Sequence, residues 1–390
     1  MEKVKFGIIG IGNMGMGHLK SFYENKVVNG VCTALADLNM KNIQIAQEKF
    51  PAEYEVFSSG RELIENANVD AVVIAVPHYD HPVLTIQALN KGLHVVCEKP
   101  AGVYGKQVRE MNEVAQKSDK LFTMMYNQRT NPLYIKMHDF IKNGEIGDIK
   151  RVNWIITNWF RTQFYYDSGS WRATWKGEGG GVLMNQCPHQ LDLLQWICGM
   201  MPSSIRAFCH FGKWHNMETE DDVTAYLEFP NGATGAFITT TGDAAGTNRL
   251  EITGTKGKLL CEKDKLHLFR LEMDCNEWLN TVQNGFAEPK YTEEIFNQEE
   301  DKNTQHVGIL NNFANAILGI EPLYVNGIEG MNCVQLINGM LLSSWKNEMV
   351  TLPVDEDEYL IELEKRIKTS KIKDCEDKLV DNSMSFGGTK

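Results

Sequence analysis

Three polar residues recur at helical spacing in the segment GEGGGVLMNQCPHQLDLLQWICG, which spans residues 177–199. They are Asn185, His189 and Asp192, and steps of three and four residues bring side chains together on one face of a helix. A histidine with a nearby carboxylate is suited to accept a proton near neutral pH, because the neighbour fixes the imidazole tautomer. The pattern predicts that His189 is a general base beside Asp192; the alternative is a structural histidine with Asp192 in solvent. Pro188 either bends a helix already formed or begins one, so whether Asn185 shares the helix of His189 stays open.

A lysine follows one of two short apolar runs in the first hundred residues. The runs DAVVIAVP (70–77) and LHVVCEKP (93–100) are rich in β-branched residues, which predicts buried strands. Ligands of parallel sheets lie at the carboxyl ends of the strands, so Lys99 is expected to face a ligand. There it can hold a substrate hydroxyl or have its pKa lowered, whereas the alternative is a surface lysine.

A glycine motif, GIGNMG at residues 10–15, follows the apolar run Val4–Ile9 and precedes a helical pattern. Glycines at these positions permit a tight turn and close approach of the backbone to a pyrophosphate at the helix N-terminus. Asp37 ends a second apolar run 22 residues beyond Gly15, where an acid would hold the ribose hydroxyls. A carboxylate there repels a 2′-phosphate and no Arg follows immediately, so NAD is predicted in preference to NADP; the alternative is that Asp37 only caps the next helix. The predicted cofactor-binding residues are Gly10, Gly12, Asn13, Met14, Gly15, Asp37, Pro77, His78, His81, Glu98, Lys99 and Asn127.

An aromatic-rich segment, NWFRTQFYYDSGSWRATW at residues 158–175, lies before the polar cluster. Aromatic faces stack on the C–H faces of sugars while neighbouring polar groups bond the hydroxyls, which is typical of a concave ligand site. The alternative, core and subunit interface, is expected for about half of these aromatic residues. The predicted substrate-binding residues are Lys99, Arg129, Trp159, Arg161, Tyr165, Trp171, Arg172, Trp175, Asn185 and His189.

The elements that must position these residues divide the chain into two fold types. The first half alternates short apolar strands with helical patterns, which predicts an α/β domain with a doubly wound parallel sheet. Strand patterns then dominate, and Asn231-Gly232 is a hairpin signal between two of them, so an α+β domain with a largely antiparallel, open sheet is expected. We predict a nucleotide domain at 1–124, a substrate and oligomerisation domain at 125–360, and a helix with a mobile tail at 361–390. Residues 263–305 are predicted to be a charged excursion with little periodicity.

Composition excludes several functional classes. The formal net charge of −12 argues against binding to a phosphate backbone, so no nucleic acid partner is expected. No apolar run approaches the roughly 20 residues that cross a bilayer, and no signal peptide is evident, so neither a membrane partner nor export is expected and the predicted location is cytoplasmic. Nine cysteines without a CxxC pair indicate reduced thiols, and no metal site is predicted.

Taken together, these motifs resemble the glucose–fructose oxidoreductase, inositol dehydrogenase and rhizopine catabolism (Gfo/Idh/MocA) family over residues 3 to about 360. The matching features are GIGNMG, PHYDH with His81, CEKP with Lys99, GEIG at 144–147, and GGG followed by His189. The resemblance implies a Rossmann domain, a second domain whose open sheet forms homo-oligomers (a dimer or tetramer), a nicotinamide cofactor, and sugars or polyols as substrates. It also implies that Lys99 and His189 are catalytic residues. Where the family frequently has an aspartate, this chain has Asn185, which cannot hold a negative charge but can orient a hydroxyl.

The expected reaction is oxidation of a secondary hydroxyl of a sugar, glycoside or polyol, with hydride to NAD and the proton to His189. Lys99 would stabilise developing alkoxide character, and Asn185 would complete the catalytic set. The NQCPHQLD variant and the aromatic segment resemble members that oxidise glycosides at C3 to 3-keto products. Two alternatives stay open: a glycosidase that uses NAD for transient oxidation and elimination, and a non-catalytic NAD-binding regulator.

Overall fold

A parallel sheet forms the first half of the molecule in the computed structural model, which describes residues 3–298 and 305–375. Its six strands are β1 (Val4–Ile9), β2 (Gly30–Ala36), β3 (Glu55–Phe57), β4 (Ala71–Ile74), β5 (His94–Cys97) and β6 (Phe122–Met124). They lie in the order β3-β2-β1-β4-β5-β6, and every neighbouring pair is parallel. All four residues of β4 are fully buried, as expected of a strand covered on both faces. The order reverses beside β1, and the ligand site of such sheets lies at that switch point.

Five helices connect these strands. They are α1 (Asn13–Tyr23), α2 (Met40–Lys49), α3 (Gly60–Asn66), α4 (Asp80–Lys91) and α5 (Gly105–Lys117). A 3-10 turn at Asn127–Thr130 then leads into α6 (Pro132–Lys142), which begins with a proline in its first turn. Helix α6 ends just before Gly144, whose φ of 75° confirms the predicted helix end.

The second sheet has nine strands in the described part of the chain. They are β7 (Ile149–Ile156), β8 (Ser204–Phe211), β9 (Glu220–Glu228), β10 (Thr234–Thr240), β11 (Asn248–Gly254), β12 (Gly257–Glu262), β13 (Lys265–Leu271), β14 (Tyr291–Asn297) and β15 (Val350–Thr351). Their order is β14-β13-β12-β11-β7-β10-β9-β8-β15. Strands β7 and β10 pair in parallel, and the other described neighbours pair antiparallel. Buried and exposed residues alternate along β9, so one face of the sheet packs on the core.

Seven helices follow β7 in the described part of the chain, and two of them carry the polar cluster. They are α7 (Gln163–Tyr166), α8 (Val182–Asn185), α9 (Pro188–Cys198), α10 (Cys275–Thr281), α11 (Gln305–Ile317), α12 (Gly330–Lys346) and α13 (Glu356–Ile367), with a 3-10 turn at Gly327–Glu329. Helix α12 is buried along most of its length and packs on β8 and α9. The two sheets and their helices confirm the predicted architecture, an α/β Rossmann domain followed by an α+β domain with a mostly antiparallel sheet.

Two predictions for the second half differ from the structure. The segment predicted as an excursion contains β13, α10 and β14, which extend the sheet edge, and only its residues 299–304 lie outside the described residues. Its charged residues are the solvent-facing positions of edge strands, where alternation is weak because neither face is fully buried. Helix α13 begins at Glu356, before the predicted start of the last segment, and the predicted tail at 376–390 lies outside the described residues.

Candidate active site

A cavity of about 600 Å³ runs from the glycine turn after β1 to the first turn of α9. It joins the carboxyl ends of the parallel strands to the aromatic segment after β7. The predicted site residues that line it are Gly10, Gly12, Asn13, Met14, Asp37, Pro77, His78, His81, Glu98, Lys99, Asn127, Trp159, Arg161, Tyr165, Trp171, Arg172, Asn185 and His189. Most of the cofactor and substrate residues predicted from separate motifs therefore line one cavity, and the exceptions are Gly15, Arg129 and Trp175.

The glycine turn has the shape that a bound pyrophosphate requires. Gly10 has a φ of 90°, and a Cβ at Gly15 would lie 1.9 Å from the carbonyl oxygen of Gly10. Gly12 faces open space, since a Cβ there would meet nothing within 4 Å. Gly15 does not line the cavity; it lets α1 pack closely on the turn, so that the helix N-terminus faces the cavity.

Asp37 is held at the end of β2 by two backbone amides. The amide of Ile11 donates to its Oδ2 at 2.6 Å, and the amide of Asn39 donates to its Oδ1 at 2.7 Å. The N-cap of α2 is Asn39, whose side chain accepts from the amide of Lys41, so the alternative in which Asp37 itself caps this helix is wrong. Asp37 also links the glycine turn to β2 and keeps its carboxylate at the cavity wall.

A buried histidine and glutamate lie behind Lys99. A hydrogen bond of 2.8 Å joins Nε2 of His18 to Oε1 of Glu98, and the backbone amide of Lys99 donates to Oε2 of Glu98 at 3.2 Å. Burial favours the neutral acid, but the bond from His18 and the surrounding positive charge outweigh it and lower the pKa of Glu98 to about 2. The ring of His306 at the start of α11 packs edge-on against His18 and also lines the cavity. Burial lowers the pKa of His306 to about 4, so its ring is neutral at neutral pH.

Lys99 bridges the two domains. Its Nζ donates to the backbone carbonyl of Asn185 at 2.7 Å. Burial lowers the pKa of Lys99, and the carboxylates of Glu98 and Glu178 oppose that shift. The ammonium is therefore aimed at the wall formed by α8 and α9.

Asn185 is the centre of a polar network that the sequence pattern did not predict. Its Nδ2 donates to Glu178, while its Oδ1 accepts from the hydroxyl of Tyr165 at 3.4 Å and from the side-chain Nε2 of Gln186 at 3.3 Å. Glu178 is buried, and burial raises its pKa while Arg172 opposes the shift. Glu178 lies in the same segment as Asn185 and His189, residues 177–199, but a glutamate next to glycines has no diagnostic spacing.

His189 lies in the first turn of α9 and lines the cavity. Because α8 ends at Asn185 and Pro188 begins α9, the two polar residues stand on separate helices, which answers the question left open by the sequence. The Nδ1 of His189 is buried and has no hydrogen-bond partner among the residues the structure describes. Burial and the charge of Lys99 hold the pKa of His189 well below its usual value. The imidazole is neutral at neutral pH and can accept a proton.

The predicted partner of His189 and one predicted substrate residue instead bind each other. Asp192 is fully buried and accepts from Arg129 at 2.6 Å and 2.8 Å. Arg129 also donates to Glu329 at 2.7 Å and does not line the cavity. Both predictions were wrong because a buried carboxylate and a buried guanidinium satisfy one another, which leaves neither for the ligand.

The aromatic segment supplies the opposite wall of the cavity. The guanidinium of Arg172 lies 4.6 Å from the ring centroid of Tyr165 and 4.5 Å from that of Trp171, and it donates to the Tyr165 hydroxyl at 2.9 Å. Arg161 lies over the rings of Trp159 and Tyr165 at 5.8 Å and 5.3 Å.

Trp175, also predicted to bind substrate, is instead a core residue. It is 6% exposed, does not line the cavity, and packs on Phe211 and Trp345. The predicted core alternative for this segment therefore applies to Trp175.

The described residues include neither a metal-binding cluster nor a membrane-spanning helix. They contain no cluster of three or more His, Cys, Asp or Glu side chains able to hold a metal ion. Nor does any helix among them combine the length and apolar character needed to cross a membrane.

Two protein-family models match the amino-acid sequence. A family model described as "Oxidoreductase family, NAD-binding Rossmann fold" matches residues 4–126, and the "GFO/IDH/MocA C-terminal domain" matches residues 134–260. The chain belongs to the GFO/IDH/MocA oxidoreductase family. It is therefore an enzyme of a family of NAD-binding oxidoreductases, which confirms the family resemblance of the sequence motifs.

Individual relatives share about a quarter of their aligned residues with this chain. The chain is 27% identical over 278 residues to the 1-carboxy-3-chloro-3,4-dihydroxycyclo hexa-1,5-diene dehydrogenase of Comamonas testosteroni, covering 71% of this chain and 67% of the relative. It is 24% identical over 331 residues to the levoglucosan dehydrogenase of Pseudarthrobacter phenanthrenivorans, covering 74% and 82% respectively. The crystal structure of the WlbA dehydrogenase from Bordetella pertussis in complex with NADH and UDP-GlcNAcA superposes with a TM-score of 0.75 at 25% identity. That match covers 91% of this chain and all of the other.

Proposed function

We propose that this oxidoreductase converts a secondary hydroxyl of a sugar, glycoside or polyol to a ketone, with NAD as the acceptor. For a glycoside, the carbon we assign is C3, which gives a 3-keto product. The observation that carries the proposal is the convergence of Lys99, Asn185 and His189 on a cavity that begins at the glycine turn. Relatives named as levoglucosan dehydrogenase and myo-inositol 2-dehydrogenase support a cyclic polyhydroxylated substrate.

The glycine turn and the end of β2 fit the pyrophosphate and ribose of NAD. Gly12 leaves room for the backbone to approach a phosphate, and Asp37 offers a carboxylate to the ribose hydroxyls. That carboxylate disfavours a 2′-phosphate, which is the basis for assigning NAD rather than NADP. When bound, the nicotinamide supplies the hydride acceptor of the reaction.

In this proposal, His189 takes the hydroxyl proton and Lys99 stabilises the developing alkoxide. A neutral imidazole can accept the proton, and the low pKa of His189 keeps it neutral before the reaction. The C–H bond of the same carbon breaks with its electron pair leaving as hydride, so the carbon is oxidised to a carbonyl. The nearby ammonium of Lys99 is buried at the cavity wall, where its charge favours the alkoxide.

The aromatic wall supports a sugar ring as the substrate. Trp159, Tyr165 and Trp171 offer apolar faces for C–H groups, and the two stacked guanidiniums of Arg161 and Arg172 offer donors for hydroxyl oxygens. The substrate would lie between this wall and His189.

We also propose a cytoplasmic homo-oligomer formed through the second sheet. Large apolar side chains stand exposed on adjacent strands of that sheet: Phe208 on β8 is 54% exposed and Tyr226 on β9 is 42% exposed. Covering such residues is a common reason for self-association.

The test follows near-ultraviolet absorbance of reduced nicotinamide when protein and NAD⁺ meet glucosides, free hexoses and inositols, with products analysed by mass. A product two hydrogens lighter than its substrate, formed together with reduced nicotinamide, supports the proposal. Cleavage of a glycoside without net reduction would instead indicate the redox-assisted glycosidase. Absence of both reactions, with NAD still bound, would favour a regulator.

A further inference from the structure

Glu178 is a buried carboxylate fixed at both oxygens. One oxygen accepts from Nδ2 of Asn185, and the other accepts from the amide of Ala173 at 2.5 Å. Its backbone is also held, since its amide donates to the carbonyl of Thr174 at 2.9 Å and the ring of His78 contacts its carbonyl at 3.0 Å. Glu178 is 2% exposed and does not itself line the cavity.

This carboxylate decides which way the amide of Asn185 points. An ionised carboxylate only accepts hydrogen bonds, so it must face the NH2 end of the amide. The carbonyl end, Oδ1, then accepts two long bonds, from the hydroxyl of Tyr165 at 3.4 Å and from Nε2 of Gln186 at 3.3 Å, and all three residues line the cavity. Asn185 therefore presents an acceptor rather than a donor, which is the group required to orient the O–H of an alcohol.

The same carboxylate balances positive charge on this side of Lys99. Lys99 donates to the backbone carbonyl of Asn185, and the side chain of that asparagine donates to Glu178. Glu98 also raises the pKa of Lys99, but it is already bonded to His18. Arg172 adds a second positive charge that acts on both Lys99 and Glu178. Glu178 is thus the negative charge shared by Lys99 and Arg172 at the substrate side of the cavity.

We propose that Glu178 is a positioning residue of the oxidation: it fixes Asn185 as the acceptor for the substrate hydroxyl and supplies the negative charge opposite Lys99. The inference rests on the proposed function. It deepens that function because it assigns two roles to a residue outside the cavity, and because it explains how an amide can serve at position 185.

Removal of the carboxylate alone cannot separate this role from support of the loop, because Glu178 also bonds the amide of Ala173. An exchange of the two side chains can. In the double variant Glu178→Gln with Asn185→Asp, an amide and a carboxylate still face each other and the net charge is unchanged, but the carboxylate stands at the cavity. An acceptor oxygen and a negative charge near Lys99 are both retained.

The pH profile provides a readout that loop support would not move. Glu178→Gln removes a charge that raises the pKa of Lys99, so that pKa falls and the basic limb of the kcat/KM profile moves to lower pH. The titratable and charged groups that face Glu178 and must be considered in fitting the profile are Lys99, Arg172, His78, Tyr166 and Glu220. Asn185→Asp alone places two carboxylates in contact, so one of them binds a proton and a new acid limb is expected.

The experiment measures kcat, KM, the pH profile and Tm for the wild type, both single variants and the exchange. Glu145→Gln, which removes a charge from a surface pair with Arg270, is the control. We expect Glu178→Gln to lower kcat about 10- to 100-fold, the size expected for a lost charge-assisted bond, and the exchange to recover much of it. The Tm of the exchange should lie near that of Glu178→Gln or above it.

The outcomes separate this inference from the function on which it rests. Full turnover by Glu178→Gln with an unchanged pH profile would overturn the inference alone. The inference would also be overturned if the turnover lost by Glu178→Gln only matched the amount of folded protein lost, and if the double exchange did not restore turnover. Absence of turnover by the wild type with every sugar tested would overturn the proposed function and this inference with it.

Discussion

Replacing Asp192 by asparagine should destabilise the protein strongly and leave its chemistry nearly intact. The carboxylate is fully buried and accepts two bonds from Arg129, at 2.6 Å and 2.8 Å. Asparagine keeps the shape but removes the charge. Among the described residues, Glu329 is then the one charged partner left to the buried guanidinium, and its side chain is 36% exposed. Breaking a buried pair in this way costs about 3–5 kcal/mol. With roughly 2–4 °C of Tm per kcal/mol in larger domains, a fall of about 10 °C is expected.

The assay pairs thermal unfolding with turnover per folded molecule at a temperature below both transitions. Glu113→Gln is the control, since Glu113 forms a surface pair with Arg109 and its loss should cost about 1 kcal/mol at most. Because the carboxylate of Asp192 is bonded to Arg129 and Nδ1 of His189 has no hydrogen-bond partner among the described residues, kcat of Asp192→Asn should stay within a few-fold of wild type. An unchanged Tm together with a large loss of kcat would refute this reasoning and restore Asp192 as the partner of the base.

Three further changes probe the cofactor site, the base and a second buried acid. His189→Gln should retain NAD binding but lower kcat about 100- to 10,000-fold, measured as reduced nicotinamide, if general-base catalysis is its role; retained turnover would remove that role. Gly15→Ala should weaken NAD binding and lower Tm, since its Cβ would lie 1.9 Å from a carbonyl oxygen of Gly10, and unchanged calorimetric affinity would contradict the close packing. Burial raises the pKa of Glu220 to about 7 from an unfolded value near 4.5. Between pH 4.5 and pH 7 the folded state therefore binds a proton at Glu220 that the unfolded state does not, so the free energy of unfolding falls as pH rises through this range. In Glu220→Gln this contribution is absent, and a plot of Tm against pH should be flatter over the same range than for the wild type.

The sequence was informative where local geometry determines the chemistry. A glycine turn after a strand has few structural solutions, and it predicted the position of Gly10, Gly12 and the N-terminus of α1 without knowledge of the rest of the chain. Asp37 and Lys99 were predicted on the same basis, because each ends a short apolar strand of a parallel sheet. Their placement at the cavity wall follows from topology alone.

Partners of buried charges could not be predicted in the same way. The spacing of Asp192 from His189 allows a contact on one helix, but Arg129, which lies 63 positions away, binds the carboxylate instead. Ion pairing inside a protein depends on which groups are buried together, and sequence separation carries no information about it. Arg129 was predicted to bind substrate because the sequence does not show that it is buried together with Asp192.

Among the residues that line the cavity, His306 lies farthest along the chain. It comes from α11, after eight of the nine described strands of the second sheet, yet its ring packs against His18 in α1 and stands beside Glu98 at the cofactor side of the cavity. The cofactor side therefore depends on a helix from the second half of the chain, as the substrate side depends on Lys99 from the first. Because each half completes the site of the other, neither domain on its own is expected to hold the full set of groups that the oxidation requires.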